Sequence, residues 1–371
     1  MSEDRISLGN IRARIKEKGV KWQAAVTSVS ELSVKEQKDR LGLIPTDREL
    51  QMISEMGLDK PVATPRKSSK ESGGSNLGSA GLPTSIDWRE VNGVDWTTPI
   101  KNQGGCGSCV AFGTIAALDA LLKICTYKDS SKNIDLSEAH LLWCGGGSCK
   151  GWHMNNACEY LKNNGVPDEA CFPYQPTTMK CDDTCSDWKN RINHSQTKDW
   201  TNTKDVSTMK NNIVNNGPQI TGMAVYSDFF SYSSGIYQHV AGGLAGYHCV
   251  AVVGYNDTDG CWICKNSWGT GWGENGWFRI AYGECGIQDV FGMWNMQVPS
   301  LVKKSDFAQY LLVDYSFTSD YRVLWAYAGG KWRNRFITDA QVGGIAKLLM
   351  ESSKVYVWWD QNKLTRVRGF K

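Results

Sequence analysis

Cys109 lies in Gln103-Gly-Gly-Cys106-Gly-Ser-Cys109-Val110-Ala-Phe112, where glycines lead straight into an apolar stretch. At the first turn of a helix starting there, the positive end of the helix dipole favours the thiolate, which is the nucleophilic form of the side chain. A thiolate that attacks a carbonyl needs a partner to take a proton and later return it. His248, heading the run His248-Cys-Val-Ala-Val-Val-Gly-Tyr255, is the candidate. Asn266 follows in Lys265-Asn-Ser-Trp-Gly269, where its side-chain carbonyl would orient the imidazole and Trp268 would shield that hydrogen bond from water. Gln103 offers an amide NH2 which, with the Cys109 backbone N–H, would hold a developing oxyanion; one such donor is worth about 2.7 to 4 kcal/mol. Nucleophile, acid/base, orienting group and oxyanion donor are the parts of acyl transfer through a thioester.

These groups have to be delivered by separate elements. An apolar helix is expected over about 109–124 and a second over 154–162, whereas beyond residue 216 the pattern turns to strands at 219–225, 248–255, 261–265 and 277–281. Helices early and strands late give an α+β arrangement in two lobes. The last 72 residues read as a small antiparallel sheet with strands at 310–317, 322–327, 331–337 and from 355, and one helix near 339–351.

Together the motifs resemble papain-like cysteine proteases of the cathepsin type. The resemblance spans roughly residues 82–299, with landmarks Leu82-Pro83 through Asp87-Trp88-Arg89, Gln103 to Phe112, His248 with Gly254-Tyr255, and Lys265-Asn-Ser-Trp-Gly-Thr-Gly-Trp-Gly-Glu-Asn-Gly-Trp277. It implies a two-lobed fold, a helical lobe facing a β-barrel-like lobe with peptide lying between them. It also implies a propeptide at 1–60, an activation linker at 61–82, a peptidase domain at 83–299 and an accessory domain at 300–371. The activity implied is that of a cysteine endopeptidase made as a zymogen, with catalytic residues Cys109, His248, Asn266 and Gln103. The substrate-binding positions implied are Gly151, Trp152, Met154, Tyr247 and Trp268. By the same resemblance Cys106 pairs with Cys149, Cys144 with Cys181 and Cys171 with Cys185, while Cys285 takes Cys261 or Cys264. No cofactor or metal is implied, and the partners are a protein or peptide substrate and the chain's own propeptide.

The sequence departs from the family pattern in places. Val110 stands where Trp is usual, and Trp152 occupies the position of a glycine whose backbone pairs with substrate. A non-hydrolytic scaffold with an occluded cleft and a thioester-based ligase are therefore the competing functions. Cys106-x-x-Cys109 and Cys261-x-x-Cys264 also have zinc-ligand spacing, but zinc leaves Gln103, His248 and Asn266 unexplained.

A formal charge of +3 from 41 basic and 38 acidic residues is too balanced for nucleic acid as a partner. It is unevenly spread: 14 Lys/Arg against 11 Asp/Glu over 1–82, 15 against 21 over 83–299, and 12 against 6 over 300–371. A basic leading segment complements an acidic middle. Thirteen cysteines favour the extracellular space or another oxidising compartment. No signal peptide or transmembrane segment is read from the chain, and a monomer is expected. Ser28/Glu31, Ser33/Glu36 and Thr46/Glu49 have capping-box spacing, while Ile6, Leu8, Ile11 and Ile15 form an amphipathic pattern that needs a partner surface. Residues 61–82, rich in Gly, Ser and Lys, read as a linker open to proteolysis. Trp325, Trp332, Trp358 and Trp359 among Arg and Lys suggest either a sheet core or a surface for acidic polymers, carbohydrate or protein.

Overall fold

The computed structural model describes residues 6–60, 82–127 and 129–299, and in the C-terminal part 303–307, 310–315, 322–328, 331–337, 344–345, 354–360 and 363–370. The expected linker at 61–81 and most of the expected helix at 339–351 lie outside the described residues.

Helix α4 (Cys109–Leu121) is buried on nearly every side, consistent with a sequence that is apolar all round. It widens into a π-helical turn over Leu122–Tyr127, so the regular helix ends before the expected 124. Cys109–Tyr127 is long and apolar enough to cross a bilayer, yet 83 % of its most apolar window is buried inside the protein, as suits a core helix. Helix α5 (Met154–Asn163) packs beside it, burying Ala157, Cys158 and Leu161.

The second lobe is built on strands β4 (Gln219–Tyr226), β5 (Tyr232–Tyr237), β6 (Leu244–Asn256), β7 (Cys261–Lys265), β8 (Trp277–Ala281) and β9 (Met293–Gln297), with β2 (Ser85–Asp87) and β3 (Asp199–Thr203) at its margins. Residues 248–255 of β6 are all buried because the strand is covered on both faces, which explains an apolar run instead of an alternating one. One face meets α4. There Gly113 is required for close approach: a Cβ on it would lie 3.0 Å from Cys249 Sγ. The other face adjoins an aromatic cluster of Phe229, Tyr232, Trp268, Trp272 and Phe278.

The amino-terminal segment lies on this body. Helix α1 (Leu8–Lys18), capped by Ser7, buries Ile11 completely against Trp22 and its neighbours, supplying the partner surface that its amphipathic pattern needs. Strand β1 (Trp22–Ala24) adds antiparallel to β5, with Trp22 opposite Gly235. Capping boxes start α2 (Val34–Lys38) at Ser33/Glu36 and α3 (Asp47–Glu55) at Thr46/Glu49. Ser28/Glu31 caps no helix. Thr27 and Ser30 instead exchange reciprocal backbone-to-hydroxyl bonds of 2.7 and 2.9 Å and hold a turn.

Disulfides join Cys106–Cys149, Cys144–Cys181 and Cys171–Cys185, as the resemblance implied. No bridge joins Cys285 to Cys261 or Cys264. Cys261 and Cys264 stay reduced within β7, and the Cys285 thiol donates to Glu284 at 3.9 Å. The four-thiolate zinc arrangement fails as well, since Cys106 is consumed by its bridge to Cys149 and cannot act as a thiolate ligand.

In the C-terminal part, β10 (Lys303–Phe307), β11 (Tyr310–Tyr315), β12 (Arg322–Ala328), β13 (Lys331–Ile337), β14 (Lys354–Asp360) and β15 (Lys363–Phe370) form a sheet in the order β10-β14-β15-β13-β12-β11. It is antiparallel except where β13 meets β15. Leu324, Ala326, Val355 and Val357 are buried.

Candidate active site

Cys109 begins α4 directly after its N-cap position, Ser108. Gln103 is held in the loop before it, its N–H donating to the Ser267 carbonyl at 2.9 Å. His248 enters from β6, and the seating of Cys249 on Gly113, one turn below Cys109, draws the head of that strand toward the start of the helix. Asn266 follows β7, which pairs with β6, so that His248 and Asn266 are neighbours although 18 residues apart.

His248 Nε2 lies 2.8 Å from Asn266 Oδ1. An amide oxygen can only accept, so Nε2 carries the hydrogen of the neutral ring and Nδ1 is left with the lone pair, free to take a proton. Asn266 Oδ1 is itself fixed by the Ser267 N–H at 2.8 Å. The Trp268 ring packs against His248 with centroids 4.8 Å apart and stacks on Phe230; at 1 % exposure it screens the bond from water from behind the imidazole.

The Gln103 amide is oriented by Ser267, whose hydroxyl donates to Oε1 at 2.7 Å, so the NH2 end points into the cleft. There it donates to the main-chain carbonyls of Arg40 at 2.9 Å and Cys106 at 2.8 Å. Arg40 belongs to the amino-terminal segment, and from it the chain threads the cleft. Leu43 N–H donates to the Tyr247 carbonyl at 3.2 Å; Trp152 N–H donates to the Gly42 carbonyl at 2.8 Å and Ile44 N–H to the Trp152 carbonyl at 2.9 Å. Leu43 and Trp152 thus form a parallel bridge. The Leu43 side chain is buried at the Gly222–Phe291 wall, where a Cβ on Gly222 would lie 2.4 Å from Leu43 Cδ2. Met154 belongs to the same apolar cluster. Gly151, at φ 119°, has the left-handed backbone that glycine favours, and a Cβ there would meet the Gly42 carbonyl at 2.6 Å.

Neither unusual residue closes the cleft. Val110 is buried within the helical lobe. The Trp152 indole turns away into a seat left by two glycines: a Cβ on Gly145 would lie 2.5 Å from its Cη2, and one on Gly147 3.0 Å from its Cγ. Its backbone N–H and carbonyl therefore both remain available for pairing.

With the segment in place, electrostatics run against the ion pair. Burial pushes the Cys109 thiol up to about 11, the nearby backbone of Cys249 and Gly42 offsetting only part of this. Burial also lowers His248 to about 4, against smaller opposing effects from Asn266 and the Arg40 carbonyl. Desolvation of the charge is the largest influence on the thiol, and the backbone N–H groups at the helix start, Val110 and Cys109, oppose it only in part. Both directions favour the neutral thiol and the neutral imidazole.

Sequence reasoning missed Ser267, which fixes both Gln103 and Asn266, although it lies between two residues that were singled out. It also missed His153, whose Nδ1 contacts the Ile44 carbonyl at 2.9 Å, and Lys265, which anchors the end of β7 by donating to the Thr98 carbonyl at 2.6 Å and hydroxyl at 2.8 Å. No motif marks their partners, which come from other parts of the chain.

Residues 82–293 match the model of the papain family cysteine proteases. Zingipain-2 of Zingiber officinale is 37 % identical over 225 residues, covering 56 % of this chain and 93 % of that protein. Cathepsin B-like CP2 of Giardia intestinalis is 33 % identical over 220 residues, covering 56 % and 72 %. Among solved structures, procathepsin L2 from Tenebrio molitor larval midgut superposes with TM-score 0.60 at 25 % identity over 78 % of this chain and 88 % of that one. proCathepsin B S9 from Trypanosoma congolense gives 0.59 at 24 % over 79 % and 98 %.

Proposed function

Because the chain belongs to the papain family of cysteine proteases, we propose that its reaction is carried by Cys109, His248, Asn266 and Gln103 in the roles their geometry supports. The protein is a cysteine endopeptidase made as a zymogen, and residues 6–60 act as its inhibitory prosegment. Once they leave, water returns, the penalty on charge falls, and the Cys109 proton passes to His248 Nδ1. The thiolate attacks the scissile carbonyl. Gln103 Nε2 and the Cys109 N–H take the oxyanion, His248 returns the proton to the departing amine, and water drawn on by His248 hydrolyses the thioester. Asn266 holds the ring in the tautomer this requires.

One observation supports this most: Gln103 Nε2 already grips a peptide carbonyl, that of Arg40, while the adjoining residues pair with Trp152 and Tyr247. The donor set thus accepts an extended peptide with a main-chain oxygen in the oxyanion position. Because Leu43 is buried beside Gly222 and Phe291, an apolar substrate side chain is expected there. Activation by cleavage within 61–82 leaves a peptidase domain at 83–299 and the basic 300–371 unit as an accessory domain. Three disulfides suit an oxidising compartment.

A thiol-directed epoxide probe and a fluorogenic peptide test this. Labelling and turnover should appear after prosegment removal and vanish in Cys109→Ala; labelling that survives in Cys109→Ala would overturn the assignment. The scaffold function drew on Val110 and Trp152 as blockers, and the contacts of both residues point away from that role.

A further inference from the structure

We propose that Tyr174 is a positioning residue that ties together the two oxyanion donors; the inference rests on the assignment of Gln103 Nε2 and the Cys109 N–H to that role. The Tyr174 hydroxyl donates to the main-chain carbonyl of Gln103 at 2.8 Å and lies 2.7 Å from Ser108 Oγ. Proton accounting fixes the direction of this pair. A carbonyl cannot donate, so the phenol spends its single proton on Gln103, and its oxygen must accept from Ser108. The result is a relay from Ser108 through Tyr174 to Gln103.

Its ends are significant. Ser108 precedes Cys109, so its placement sets the Cys109 N–H, while the Gln103 carbonyl belongs to the residue whose side chain is the other donor. Ser267 ties Gln103 to the strand-rich lobe. Tyr174 supplies the corresponding tie to the helical lobe, its ring meeting Phe112 of α4 edge-on at 4.7 Å and 89°. Tyr174 is itself seated, since its N–H donates to Glu169 Oε1 at 2.7 Å. Two residues on, the Pro176 ring backs Gly104, where a Cβ would lie 2.7 Å from it. Without the phenolic oxygen, the Gln103 carbonyl loses its donor and the Ser108 hydroxyl can turn fully to the Cys106 carbonyl, already 3.3 Å away. Both donors are then free to drift from the position where charge develops, which penalises the transition state more than substrate binding.

The test uses the enzyme freed of its prosegment. Tyr174→Phe keeps the ring on Phe112 and should lower kcat for a peptide amide about tenfold, less than the roughly 10²-fold loss expected for Gln103→Ala, with KM little changed. Alkylation of Cys109 by iodoacetamide, which forms no oxyanion, should keep its rate and pH profile. In the double variant with Gln103→Ala, Tyr174→Phe should cost clearly less than it does alone, because the part of its effect that runs through the Gln103 donor is already lost and only the part through the Cys109 N–H remains. Alkylation falling in parallel with kcat, fully multiplicative losses, or an unchanged kcat would each overturn the proposal. Should Tyr174→Phe not fold, Ser108→Ala cuts the relay from its other end and must show the same split. Failure of the underlying donor assignment would show separately, as a Gln103→Ala enzyme with unimpaired kcat.

Discussion

Gly42 and Gly107 meet backbone to backbone: a Cβ on Gly42 would lie 1.8 Å from the carbonyl oxygen of Gly107. Gly42 is where the prosegment passes the loop that leads into Cys109, and rigid main chain on both sides leaves no side chain to move aside. Gly42→Ala should therefore loosen the prosegment over the cleft. Alkylation of Cys109 in the intact zymogen should rise by about tenfold or more, equivalent to ~1.4 kcal/mol, whereas the mature enzyme, which lacks Gly42, should be unaffected.

Covering also silences the nucleophile chemically. Burial raises the thiol to about 11 and lowers the imidazole to about 4, and both directions disfavour the thiolate–imidazolium pair. The rate of Cys109 alkylation, measured against pH by mass spectrometry, should be low in the zymogen and climb about tenfold per pH unit between about pH 5 and 9 without reaching a plateau. After prosegment removal it should rise strongly and show a plateau bounded by the two macroscopic pKa values of the pair.

Trp152 separates structural from catalytic cost. Its indole is buried over Gly145 and Gly147, while the substrate pairing proposed above uses only its backbone. Trp152→Ala should cost about 3 to 5 kcal/mol of stability, seen as a Tm lower by about 10 °C in calorimetry. The kcat/KM of the molecules that remain folded should change little; a loss of a hundredfold there would mean that the side chain itself guides substrate.

His140 makes stability depend on pH. It is fully buried, packed against the Trp188 ring at 4.6 Å, and both of its ring nitrogens lack hydrogen-bond partners; burial lowers it to about 4. The unfolded chain binds this proton below its ordinary value of 6.5, so stability is intact above that value and falls as pH drops toward 4. At pH 4.5 the cost is about 2 kcal/mol. In a Cys109→Ala background, which prevents self-cleavage, His140→Leu should raise Tm at pH 4.5 and make little difference at pH 7.5.

Much of this protein is legible in its linear order. Short-range chemistry determined the nucleophile's place at a helix start, the capping boxes at Ser33 and Thr46, and the strands at Cys261–Lys265 and Trp277–Ala281, because each depends on neighbours a few residues away. His248, Asn266 and Gln103 could be nominated since their motifs are local, and family resemblance supplied the three disulfide pairings.

Only the tertiary structure decided what those groups meet. It turned the Trp152 indole into the helical lobe by way of Gly145 and Gly147, left Cys261 and Cys264 reduced, made Ser267 the common anchor of Gln103 and Asn266, and laid the Arg40 carbonyl against the Gln103 amide. Each of these contacts joins residues far apart in the chain, and whether they form depends on packing between elements. Cys109 follows the same rule: its place at a helix start is local, but the burial that raises its thiol to about 11 is a property of the packed structure.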